Sequence, residues 1–211
     1  MLQRPLPQTR AGVSVSSGEN TAELAEALHA LYQQNDEQLR ASFQRSLSFQ
    51  DGAFDRWERA RRLGFGEGAS IYNSALVFGE VTVGRHTWIG PCTILDGSAA
   101  PLQIGDYCSI SAGVHLYTHN TVHWALSGGT AAKRSGPVSV GDCVYIGPQS
   151  IVTLGVSIGR QCLVAANSFV NRSLQPRIVV AGSPARPVGK VVGEGAAVSV
   201  EFDPKVQVAH E

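Results

Sequence analysis

Between Ile71 and Val170 an aliphatic residue returns every six positions, and this period constrains the fold more than any other feature of the chain. The series runs Ile71, Val77, Val83, Ile89, Leu95, then Ile104, Ile110, Leu116, then Val140, Ile146, Val152, Ile158, Val164 and Val170. A period of six fits neither the 3.6-residue turn of an amphipathic helix nor the alternation of a strand, so it marks an internal repeat. Four places after almost every anchor stands a small or β-branched residue: Ala75, Val81, Thr87, Thr93, Ala99, Cys108, Val114, Val144, Ser150, Val156, Cys162 and Ser168, with Leu174 closing the run.

This pattern predicts a triangular prism. One large and one small residue per six point inward, three short strands make one coil, and successive coils stack as parallel strands that bury apolar surface against their neighbours. Gly follows the anchor at Gly84, Gly90, Gly105, Gly141, Gly147 and Gly159, where the absence of a Cβ is expected to allow the corner turn.

The chain of 211 residues suits one buried domain plus an accessory element. Lys+Arg and Asp+Glu both number 17, so no global basic field points to nucleic acid or an anionic membrane. No apolar run approaches the roughly 20 residues of a membrane span. The stretch Met1 to Gly18 is polar and lacks the apolar core of a signal peptide, which suggests the loose tail of a cytoplasmic protein. Cys108 and Cys162 fall in the small inward slot, Cys92 and Cys143 fall one position earlier in their hexads, and no CxxC spacing occurs; structural filler is expected, with no metal.

Before the prism, Glu19-Asn20-Thr21 offers a helix cap, and Leu24, Leu28, Leu31, Leu39, Phe43 and Leu47 recur at near-helical spacing. A second helix is expected from about Phe54 to Leu63, with Gly64 as its stop. Together these predict a cap over the open end of the prism. After Val170 the hexads stop; Gln175-Pro176 and Ser183 to Pro187 are turn-rich, and Ala197 to Phe202 alternates like a single strand with no evident partner. The expected domains are therefore a tail and helical cap at 1–65, a repeat domain at 66–192 with a loop at 118–138, and a C-terminal tail at 193–211.

The register breaks twice. Leu95 to Ile104 inserts Asp96-Gly97-Ser98 and the Ala-Ala-Pro that follows, and Leu116 to Val140 inserts a segment with neither anchors nor small slots. That segment holds His119, His123 and Trp124, with His115 just before it. Long insertions in solenoids form loops on one face, where ligands often bind.

The hexads, the His-bearing loop and the terminal Val179-Val180-Ala181-Gly182-Ser183-Pro184-Ala185-Arg186 resemble the hexapeptide-repeat acyltransferases over residues 66 to 192, and within them the maltose and galactoside type of sugar O-acetyltransferase. The resemblance implies a left-handed parallel β-helix, an exception to the right-handed crossover rule, and a homotrimer with active sites between adjacent prisms. It implies transfer of acetyl from acetyl-CoA to a carbohydrate hydroxyl, with no metal. His119 matches the catalytic base, since imidazole titrates near neutral pH and accepts the hydroxyl proton as the oxygen attacks the thioester. Asp96 matches an acidic residue that binds an acceptor hydroxyl; as half of an Asp-Gly pair it also reads as a turn former. His123 and Trp124 are pocket-lining candidates, Trp124 either stacking on a sugar or pinning the loop. The resemblance places donor contacts at Gly147, Ala165 and Ala166, and Arg172 and Arg186 suit the phosphates of coenzyme A. The chain departs from the sugar acetyltransferases at Asn171-Arg172-Ser173, where a Lys-Asp type pair is more usual.

Other acceptors fit the same pattern, namely an amino-sugar amine or an antibiotic hydroxyl. The γ-class carbonic anhydrases resemble it too, with His86, His115 and His119 as imaginable metal ligands, although their GHxxxxH run is absent. A non-catalytic β-helix scaffold is the remaining reading, and it leaves the histidines of the broken register without a purpose.

Overall fold

The computed structural model describes residues 18–204, with side chains from residue 21 onward. The tail expected before Gly18, and residues 205–211, lie outside the described residues. The chain forms two units, Met1–Ala53 and Phe54–Glu211.

The first unit contains helices α1 (Gly18–Phe43) and α2 (Phe49–Ala53). Glu19-Asn20-Thr21 lies inside α1 and does not cap it, so the expected start was late. Leu24, Leu28 and Leu31 keep the helical spacing yet remain 43–47% exposed. Asp36 and Arg40, one turn apart, form an ion pair at 2.8 Å, and Tyr32 meets Phe49 ring to ring at 6.1 Å.

The second unit opens with helix α3 (Arg56–Arg62), shorter than the expected Phe54–Leu63. Asp55 moves the start inward: its carboxylate accepts the amides of Trp57 and Glu58 at 2.7 and 2.8 Å, which makes it the N-cap. Gly64 ends the helix at φ +75°. Ala60 is buried in the core, and the Arg59 guanidinium donates to the Tyr72 carbonyl and, at 2.8 Å, to the Ala75 carbonyl. Thus α3 covers carbonyls of the first coil that have no coil above them.

Three columns of short parallel strands follow. On the first face Ile71, Ile89, Ile110, Ile146, Val164 and Val180 stack in register. On the second face the column is Val77, Leu95, Leu116, Val152 and Val170. The third is Val83, Ile104, Val140, Ile158 and Leu174. Every anchor from Ile71 to Val170 except Val77 is buried, so the period of six is a period of inward positions.

The glycines after the anchors act differently from the expectation. None of these six has positive φ; the left-handed conformation falls instead three places before an anchor, on His86, Cys92, Tyr107, Cys143, Gln149, Gln161, Asn167 and Arg177. The glycines are needed because the adjacent coil passes directly against them: a Cβ at Gly147 would lie 2.5 Å from the amide nitrogen of Ala166. Close stacking, not corner conformation, selects Gly.

The small slot also needs two corrections. Ala99 is exposed, because the first break lifts it out of phase, and Leu174 serves as a third-face anchor paired with Ile158. After each break the slot is set from the next anchor, so Leu102 and Val138, two places before Ile104 and Val140, fill it completely buried. Where the slot is polar, its group donates to a neighbouring carbonyl: Thr87 Oγ1 to Gly105 at 2.8 Å, Ser150 Oγ to Ala165 at 2.9 Å, and the Cys108 and Cys162 thiols to Gly141 and Gln175 at 3.1 Å.

Past the last coil, Ile178–Ala181 pairs antiparallel with Arg186–Val192, which pairs antiparallel with Ser199–Phe202. The alternating stretch near the C-terminus therefore has a partner, the segment just after the Pro-rich turn. Among the described residues no helix is long and apolar enough to cross a membrane.

Candidate active site

Both breaks fall at the same corner, between the second and third faces, in successive coils. In the earlier coil Ile94–Ile104 is one continuous strand that carries Asp96 to Pro101 around the corner. In the next, the chain leaves as His115–Tyr117 and forms an antiparallel hairpin in which His119 pairs with Ser135 and Asn120 with Arg134. Between the hairpin strands lies the short helix α4 (Val122–Leu126).

Local hydrogen bonds hold the two breaks together. Asp96 lies beside Tyr117 in the strand register. Thr118 turns inward, fully buried, and donates both its amide (3.2 Å) and its hydroxyl (2.7 Å) to the Asp96 carbonyl. This clamp delivers His119 to the Asp96 carboxylate, with Nδ1 3.2 Å from Oδ2. The contact is close but lies outside hydrogen-bond angles, and Nδ1, buried, has no other partner. On its other side the Asp96 carboxylate accepts the Ser98 amide at 3.0 Å and the Ser98 hydroxyl at 2.6 Å through Oδ1. Asp96 is therefore a turn former through one oxygen and a histidine partner through the other.

Asp96 is only 6% exposed and the His119 side chain 29%. The imidazole thus presents its remaining edge outward while Nδ1 faces the carboxylate. A buried carboxylate close against one ring nitrogen orients the ring and leaves Nε2 as its open edge. Such an arrangement is able to take a proton from a bound hydroxyl.

The remaining candidates are spread over other parts of the fold. His123 and Trp124 sit exposed on α4 and make no hydrogen bond, ion pair or ring contact with Asp96 or His119. His123 Nε2 lies 3.4 Å from an Arg134 guanidinium nitrogen, and the Trp124 indole lies against Gly129, where an added Cβ would be 3.7 Å away. Trp124 thereby braces its own loop. Gly147 lies at the corner between the first and second faces, directly against Ala165 and Ala166 of the next coil. Arg172 is exposed at the same corner as Asp96 but in the last coil, and Arg186 turns one guanidinium nitrogen back to the Ala185 carbonyl at 2.9 Å. His119 and the small-residue stretch of Gly147, Ala165 and Ala166 thus occupy two different corners of one prism.

The imagined metal triad is not assembled. His86 stacks on Tyr107 at 5.0 Å at the corner between the third and first faces, away from the corner that holds His119. Among the described residues no group of three His, Cys, Asp or Glu side chains is arranged to hold a metal ion.

Sequence reasoning missed Ser98, Thr118 and Tyr117. Tyr117 Oη lies 3.3 Å from His115 Nδ1, with the two rings edge to face at 5.7 Å. Burial, and then the nearby Asp96 carboxylate, push the Tyr117 phenol up, so it stays protonated. The available signal was alternation: His115, Tyr117 and His119 flank the inward Leu116 and Thr118.

A parallel three-faced coil whose inward positions recur every six residues has the architecture of a hexapeptide-repeat solenoid. Residues 137–172 match the family model described as the hexapeptide repeat of succinyl-transferase. The chain carries a stretch of hexapeptide repeat and is similar to hexapeptide-repeat acyltransferases. It is 28% identical to galactoside O-acetyltransferase of Escherichia coli over 52% of this chain and 64% of that one. Among solved structures it is similar to the hexapeptide-repeat-containing acetyltransferase VCA0836 of Vibrio cholerae, with 26% identity, a TM-score of 0.55, and coverage of 83% of this chain and 94% of that one. It also resembles AntD, an N-acyltransferase from Bacillus cereus solved with dTDP and 3-hydroxybutyryl-CoA, at 25% identity, TM-score 0.54, and coverage of 64% and 89%. The chain spans between 49% and 66% of the length of the curated relatives it matches first.

Proposed function

We propose that this protein is an acetyl-CoA-dependent O-acetyltransferase that acts on a carbohydrate hydroxyl, with His119 as general base. The observation that carries this reading is the Asp96–His119 contact at 3.2 Å, formed where both breaks of the repeat coincide. His119 Nε2 accepts the proton as the acceptor oxygen attacks the thioester carbonyl, and the imidazolium then returns it to the departing thiolate of coenzyme A. Asp96 orients the ring and stabilises its charged form. No protein nucleophile is required.

The donor runs along the column of Gly147, Ala165 and Ala166, whose main chain hydrogen-bonds an extended pantetheine, and Arg172 and Arg186 meet its phosphates. Because that column and His119 lie at different corners, a complete site takes the base from one prism and the donor wall from the next. A homotrimer of left-handed prisms supplies this arrangement. Residues 66–192 then carry the transferase domain. The four unpaired cysteines suit the reducing cytoplasm, where acetyl-CoA is plentiful.

The similarity to AntD, an N-acyltransferase, favours one alternative, acyl transfer to an amine. An amine that is already neutral attacks without full deprotonation, so the two readings differ in their need for the base. Replacement of His119 by Ala is expected to lower turnover with hydroxyl acceptors by about 10² to 10⁴ while acetyl-CoA binding persists. Turnover within a few-fold of the native protein would remove His119 from the chemistry.

A further inference from the structure

We infer that Tyr117, held by His115, forms a second acceptor subsite beside the base, which selects a ring carrying a second free hydroxyl. This rests on the O-acetyltransferase reading above and extends it to the class of acceptor.

Leu116 and Thr118 point inward and are fully buried, whereas His115, Tyr117 and His119 are half-buried on the outer side. Tyr117 also lies in register with Asp96, so its ring shares one strip of surface with both members of the catalytic pair. Tyr117 ends one strand and His119 begins the next with Thr118 bent between them, so their Cα atoms lie at most about 7 Å apart, a distance on the scale of one sugar ring with its hydroxyl groups. An acceptor whose reacting hydroxyl meets His119 therefore places another ring substituent near Tyr117.

The phenol suits that substituent. His115 Nδ1 lies 3.3 Å from Tyr117 Oη and its ring meets the tyrosine edge-on, which fixes the hydroxyl. If Oη donates to Nδ1 it keeps two acceptor lone pairs; if it accepts from Nδ1–H, its own O–H is free to donate. In either tautomer one hydroxyl partner remains to be satisfied. The surroundings keep the phenol neutral, as a donor to an uncharged hydroxyl requires. A site that hydrogen-bonds a substrate hydroxyl discriminates against the analogue that lacks it.

The test compares a methyl pyranoside with its monodeoxy analogues, with ester formation read by chromatography. The native protein is expected to show a KM about tenfold higher for one deoxy analogue, as the loss of one hydrogen bond implies. Tyr117→Phe, which keeps the ring against His115, is expected to raise KM for the parent pyranoside to that of the deoxy analogue, with kcat within about threefold. His115→Phe is expected to weaken the same discrimination. Ester formation with no discrimination among deoxy analogues, or discrimination that survives in Tyr117→Phe, overturns the subsite alone. Native protein that yields amide from an amino sugar and no ester from any pyranoside overturns both the subsite and the hydroxyl reading.

Discussion

His119 Nδ1 lies 3.2 Å from Asp96 Oδ2, and the two residues belong to different breaks of one repeat in successive coils. If the carboxylate sets the tautomer and supports the imidazolium, Asp96→Asn is expected to lower kcat by about 10² or more, with a smaller change in the KM for acetyl-CoA. The double variant with His119→Ala is expected to be little worse than His119→Ala alone, because the two act as a unit. Steady-state kinetics of the three variants checks this; full additivity would separate the residues.

The close approach at Gly147 links coil stacking to the proposed donor wall. A Cβ there would lie 2.5 Å from the Ala166 amide nitrogen, against backbone that has no flexible end to move. Gly147→Val is expected to lower stability by about 1–3 kcal/mol, as overpacking does, and to weaken acetyl-CoA binding. Thermal melts and calorimetric titration read the two effects separately.

Reactivity of the four cysteines provides an independent measure of the slot assignment. Cys92 and Cys143 are exposed, and Cys108 and Cys162 are buried, with their thiols pushed up chiefly by burial. A thiol reagent is expected to modify two sulfhydryls in the native protein and all four only on unfolding. The sign of the pH effect follows: a raised thiol pKa contributes stability that is complete below the pKa of the unfolded chain and is lost as pH rises through the folded value. Denaturant midpoints that fall above about pH 9, less steeply in Cys108→Ala, would bear this out.

The corner between the third and first faces is expected to respond to acid. Arg85 Nη2 lies 2.7 Å from Asp106 Oδ2, and hydrogen bonds from Arg85 hold the Asp106 carboxyl below its ordinary value. A depressed carboxyl pKa stabilises the fold above the unfolded pKa, and that contribution disappears as pH falls through the folded pKa. Asp106→Asn is therefore expected to flatten the acid limb of the pH–stability curve below about pH 4 and to leave the alkaline limb unchanged. Because the pair is at the surface, the expected change is small and decreases with salt.

Anchors and slots were legible because an inward position is a demand on residue type. Ile71 to Val170 keep their period wherever the coil is regular, and the breaks after Leu95 and Leu116 announced themselves as departures from it. Ala99 and Leu174 were misassigned because counting forward through a break carries the old phase past the point where packing resets it; Leu102 and Val138 show the reset. Tyr117 escaped notice because a half-buried tyrosine on a strand has no sequence signature distinct from packing.

What the sequence by itself determined is the three-faced coil and the two places where it fails, since six-residue burial is written in single side chains. Only the tertiary structure decided that both failures share one corner. Asp96 meets His119 because stacking brings successive coils into contact and the Thr118 clamp draws one break onto the other. The same stacking sets Gly147, Ala165 and Ala166 at a different corner. Proximity across coils depends on the phase that each insertion preserves, a property of the closed path and of no single residue.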